Sequence, residues 1–201
     1  MEKTAVQKLA RALRIMVTVL IVCNVIALFL SPAIVLLMDE QYPRDIWGFM
    51  EETFLQLFHA RALEEGDIDI PLIFAVLVAW WEVTQYPATA LYTVFFLVCG
   101  GCTLVVLFQA RRILDTILEG NPFQIKNAKA LNRAAVCCWV ISGAALVRLA
   151  LELAQYKNRA PLYTYNTLFV PALLMAGLLF QVMSALFRQA AELKEDQDLT
   201  I

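Results

Sequence analysis

Few residues in this chain are suited to chemistry. Cys99-Gly100-Gly101-Cys102 places two thiols three positions apart, the CxxC spacing of thiol–disulfide exchange. A relay would also need a second, exposed thiol pair on a connecting segment, and residues 39–82 and 155–165 contain no cysteine. Cys99 also falls in the middle of an apolar run, where a thiol is inert, so redox function is not expected. His59 is the only histidine. With no cysteine near it a zinc site is not expected, although the surrounding carboxylates could attract a hard cation weakly. Arg148 and Glu152 stand four apart and share a helix face, so they can pair inside a membrane. Such a pair reads either as a structural lock or as part of a ligand or ion site. No phosphate-cradling glycine loop, nucleophile elbow or paired-carboxylate motif is present. The expectation is a non-enzymatic protein with no catalytic residue, no metal site and no cofactor.

Composition sets the frame that must hold these residues. Of 201 residues, 61% are hydrophobic and 17% charged, against about 45–50% and about 25% in globular chains. The excess is gathered into blocks: residues 15–38 form 24 positions without a charge, residues 83–110 form 28, and residues 160–187 form 28. Each exceeds the roughly 20 helical residues that cross a bilayer. A further block, residues 134–154, carries Arg148 and Glu152. The expected fold is all-α: a polytopic membrane protein, one membrane domain over residues 1–201, with spans at about 15–38, 88–110, 134–154 and 165–187. A soluble enzyme, a nucleic-acid-binding domain and a disordered acidic protein are excluded, so the lipid bilayer is the first partner and direct nucleic acid binding is not expected. Cys23, Cys99, Cys102, Cys137 and Cys138 all lie within apolar blocks, which argues against a disulfide-stapled ectodomain. Lys3, Lys8, Arg11 and Arg14 precede the first block, which is too long for a signal-peptide core and reads as an uncleaved anchor.

Four spans put both termini on one side. Lysines and arginines flanking the spans divide eleven to four in favour of the side holding the termini and residues 111–133, which makes that side cytoplasmic. Residues 39–87 then face outward, with ten carboxylates against two arginines in residues 39–82. Within them Ile46, Phe49, Met50, Phe54, Leu57 and Phe58 recur at helical spacing, predicting an amphipathic helix on the outer face. Residues 71–81 are apolar but too short for a fifth span, and read as a buried or re-entrant prelude to the second. In the cytoplasmic elbow, residues 111–133, Gly120 suits a left-handed helix end, Asn121 an N-cap and Pro122 a first helical position. The tail, residues 188–201, continues the last helix. Asn24 and Ser31-Pro32 read as packing and bending devices, and Gly100, Gly101, Ala172 and Ala176 as places of close helix contact.

Two motifs in these segments resemble a known family. Ile117-Leu118-Glu119-Gly120-Asn121-Pro122-Phe123, followed by Asn127-Ala128 and Leu131, resembles the "egxPF … NAxxL" signature of a bacterial family of small four-helix membrane proteins bearing a domain of unknown function. Glu192-Leu193-Lys194-Glu195-Asp196-Gln197-Asp198-Leu199-Thr200-Ile201 is similar to that family's terminal "eL-x-x-E-x-DLT-[VI]". The resemblance runs from about Leu91 to the end, while the acidic outer segment is longer than the family leads one to expect. Members are often encoded beside a small Cro-type helix-turn-helix regulator. The resemblance therefore implies a bacterial cell-membrane protein that binds such a regulator, with Glu119, Gly120, Asn121, Pro122, Phe123, Asn127, Asp196, Asp198, Leu199 and Thr200 as candidate partner-binding residues. The competing reading of these residues is intramolecular: the acidic tail (Glu192, Glu195, Asp196, Asp198) packs on the basic elbow (Arg111, Arg112, Lys126, Lys129, Arg133). A different function class, a small transport or resistance component, homo-oligomeric or not, would use Arg148 and Glu152 in a polar path.

Overall fold

The computed structural model describes residues 5–38, 72–85, 87–156 and 165–198, and every regular element among them is an α-helix: α1 (Ala5–Met38), α2 (Leu72–Val83), α3 (Pro87–Leu118), α4 (Ile125–Tyr156) and α5 (Tyr165–Asp198). The expected amphipathic outer helix around Ile46 to Phe58 lies outside the described residues. Four helices, α1, α3, α4 and α5, are long and apolar enough to cross a membrane. The protein is a multi-pass membrane protein of four candidate spans, as the blocked hydropathy requires. With 12 residues, α2 reaches about 18 Å, well short of the roughly 30 Å hydrocarbon layer. Many large apolar side chains on the long helices are exposed, Ile15, Leu168 and Leu179 among them, as lipid-facing positions must be.

The chain divides into two compact units, Ile26–Leu97 and the pair of segments Met1–Val25 with Val98–Ile201. In the first, Ala79 and Val83 of α2 pack against Ala33 of α1 and Ala90 of α3. Small side chains let the backbones approach, which is how helices associate where lipid removes the hydrophobic drive. Pro32 lies fully buried inside α1 and cannot donate to the Leu28 carbonyl one turn back. Ser31 Oγ donates to that carbonyl at 2.8 Å, and Trp80 Nε1 of α2 donates to the neighbouring Phe29 carbonyl at 3.2 Å. At Ser31-Pro32 the proline thus withholds one backbone donor, and two side chains donate to carbonyls of the preceding turn.

In the second unit α4 and α5 lie against each other. The buried face of α4 is mostly small residues, Ala128, Ala130, Ala134, Ala135 and Cys138, with Leu131 among them. Gly177 of α5 is a point of close approach, since a Cβ there would overlap the Trp139 indole and crowd the Ala135 carbonyl. Two hydroxyls pin the pair: Ser142 Oγ donates to the Val170 carbonyl at 3.0 Å, and Ser184 Oγ to the Ala128 carbonyl at 2.7 Å. The close contact expected at Gly101 is not found there, because nothing lies within 4 Å of a Cβ built on it. The glycine that a neighbour requires is Gly177, on the helix that carries Ala172 and Ala176.

Candidate functional site at the elbow

The turn between α3 and α4 is built from the end of α3 outward. Gly120 has φ of 78°, the left-handed conformation that only glycine adopts freely. Its N–H donates to the Ile117 carbonyl at 3.1 Å and the Asn121 N–H donates to the Thr116 carbonyl at 3.1 Å, the two bonds of a Schellman motif. This corrects the expected roles of Asn121 and Pro122. Asn121 belongs to the end of α3, and α4 does not begin at Pro122 but at Ile125. Residues 121–124 form the connection, in which the Gln124 N–H donates to the Pro122 carbonyl and the Gln124 carbonyl accepts the Asn127 N–H at 2.9 Å, opening α4. The start is delayed because the Pro122 carbonyl is turned toward another donor.

That donor is Asn127, which is fully buried. Its Nδ2 donates to Thr116 Oγ1 at 2.6 Å and to the Pro122 carbonyl at 2.7 Å, while Thr116 Oγ1 donates to the Ile113 carbonyl at 2.7 Å. One carboxamide therefore ties the last turn of α3, the connection and the first turn of α4 together. The tail helix lies across this knot. Lys194 Nζ donates to Asn121 Oδ1 at 2.7 Å, and the Phe187 ring packs at a tilt against Phe123 with ring centroids 5.7 Å apart. Glu192 pairs with Arg188 one turn back, Nε to Oε1 2.9 Å. Helix α5 thus meets the elbow through Lys194 of the tail and, just before the tail, through Phe187 and Ser184.

The structure brings five of the sequence-predicted residues together at the turn: Gly120, Asn121, Pro122, Phe123 and Asn127. Glu119 and Phe123 are exposed beside it, as is Asp196 on the tail. Asp198 is the last residue of α5, and Leu199 and Thr200 lie outside the described residues. The intramembrane candidates meet as their spacing requires, with Arg148 Nε 2.8 Å from Glu152 Oε1 and both side chains largely enclosed. Sequence reading missed the ion pair of Arg14 on α1 with Asp115 on α3, 2.8 Å. The available signal was Asp115 itself, an acid one turn after Arg111-Arg112. All five cysteines are free, with Cys102 of the CxxC pair close to Cys137 and Cys138 of α4. Among the described residues no group of three histidines, cysteines or acids could hold a metal ion, and His59 lies outside them.

Residues 70–201 match the family model described as a protein of unknown function (DUF2975). The chain belongs to this family. The match takes in α2 to α5 and both motifs, and it begins some twenty residues before Leu91, where the motif-based resemblance starts. Thus α2 belongs to the DUF2975 region, and α1 precedes it. Searches of curated proteins and of solved structures return no match.

Proposed function

We propose that this DUF2975 protein is a non-enzymatic membrane protein whose elbow and tail, on the cytoplasmic side of a bacterial cell membrane, bind a cytoplasmic partner, a small helix-turn-helix regulator. The observation that carries the reading is the contact of Lys194 with Asn121, which joins the two family-like motifs into one surface although they stand 73 residues apart. Around that contact Glu119, Phe123, Leu193, Glu195 and Asp196 are exposed, so acidic and apolar groups are available together. Such a surface suits a basic, amphipathic helix of a regulator better than it suits lipid, which takes apolar groups without acids.

The test is a pull-down from mild detergent comparing the full chain with one ending at Arg188. A partner held by the full chain and lost on truncation is expected, with Lys194→Ala weakening capture. Capture that is unaffected by truncation, or no capture by either form, sinks the proposal.

A further inference from the structure

One face of α4 changes character along its length, and the change falls at a fixed depth. Lys126, Lys129 and Arg133 are exposed and recur at spacings of three and four. The same spacing continues through Val136 (48% exposed), Val140 (44%) and Val147 (61%). At about 100° per residue these six positions fall within an arc of roughly 100°, opposite the face on which Asn127, Ala130, Leu131 and Ala134 are buried. The helix therefore carries a single outward strip, cationic for its first two turns and apolar thereafter.

We infer that this strip is a binding site for an anionic phospholipid, with the headgroup phosphate on Lys126, Lys129 and Arg133 and an acyl chain along the valines. Depth supports the assignment. The apolar block of α4 begins directly after Arg133, which places Arg133 at the hydrocarbon boundary and Lys126 about 10 Å further out. The polar headgroup layer on one side of a bilayer is about 5–8 Å thick, so the three cations line it from one edge to just past the other. From Val136 to Val147 the helix rises about 16 Å, close to the roughly 15 Å depth of one leaflet's hydrocarbon. Gly143 lies on the same strip, and nothing is within 4 Å of a Cβ built there, so the strip has room for a chain. Two acids of the neighbouring helices are paired with other cations, Asp115 with Arg14 and Glu192 with Arg188. Cations at this depth attract anionic lipid by about fivefold each, so three of them select for charge and not merely for any lipid. The strip takes three cations of the elbow but none of the candidate partner-binding residues, and it does not rest on the partner proposed above.

The experiment is native mass spectrometry of the full chain in mild detergent with added phosphatidylglycerol or phosphatidylcholine. Retention of phosphatidylglycerol over phosphatidylcholine is expected. The K126Q/K129Q/R133Q variant should reduce that preference by at least about tenfold, while K8Q/R11Q/R112Q, which removes three exposed cations from other helices, should leave most of it. All these exchanges are at exposed positions, and circular dichroism confirms that each variant is folded; should the triple variant fail to fold, R133Q alone is expected to lose about fivefold. Equal retention of the two lipids, an equal loss in the control variant, or full displacement of phosphatidylglycerol by millimolar inorganic phosphate would each overturn the inference. The last outcome would make the strip a general anion site.

Discussion

Asn127 stands in the family-like motif beside Glu119 and Phe123, yet its side chain is enclosed by the elbow and spends both Nδ2 hydrogens on it. A motif residue of this kind shapes the surface that its neighbours present. Replacing it by alanine removes two hydrogen bonds from the turn, which costs about 1–3 kcal/mol. Asn127→Ala should therefore lower the thermal midpoint of the purified protein in detergent, and Asn127→Asp, which has no donor to offer, should do the same. Glu119→Ala, at an exposed position, should leave the midpoint within about 0.5 kcal/mol of the parent. An Asn127→Ala protein as stable as the parent would show that the carboxamide does not hold the turn. Arg148 and Glu152 follow a similar logic inside the span. Each neutralises the other within one helical turn, which lowers the cost of keeping two charges at that depth.

The long helices were legible in the sequence because lipid leaves no other solution: a charge-free run of this length must satisfy its own backbone as a helix. The stop of α3 was legible for an equally local reason, since only glycine takes φ of 78° without strain. The start of α4 was not, because the choice between Pro122 and Ile125 is made by Asn127 reaching back across the turn, a contact that spacing alone does not reveal. Nor could spacing decide which glycine meets a neighbour. Gly101 and Gly177 both sit in apolar helices, and the difference lies in the Trp139 indole opposite one of them. That difference predicts opposite responses to the same substitution. Gly177→Ala forces α5 away from Trp139 and the Ala135 carbonyl, a clash worth about 1–3 kcal/mol. Gly101→Ala meets open space and gains helix propensity of up to about 1 kcal/mol. Thermal midpoints of the two variants in detergent should fall on opposite sides of the parent, and a matching loss in both would refute the account of the α4–α5 contact.

At the scale of the whole molecule the charged residues are unevenly divided along the sequence. The N-terminal basic flank, the elbow and the tail share eleven lysines and arginines, and the other two connecting segments have four. The long helices of 32 to 34 residues reach about 48–51 Å and so exceed the hydrocarbon layer by roughly 20 Å. Much of that excess carries the cations of the elbow and the exposed last turns of α5. An end that is both long and basic resists translocation, because each cation would have to leave the negative side of the membrane potential at about 2.3 kcal/mol per 100 mV. The elbow should therefore remain cytoplasmic along with both termini. Reporter fusions provide the check. A fluorescent protein joined after Ile201 should light up, a phosphatase that folds only outside the cytoplasm should be silent there, and the same phosphatase inserted between Lys157 and Arg159 should be active. Phosphatase activity at the C-terminal position would reverse the orientation. It would also remove the elbow and tail from the compartment where a transcription regulator could reach them, while leaving the phospholipid strip on α4 intact.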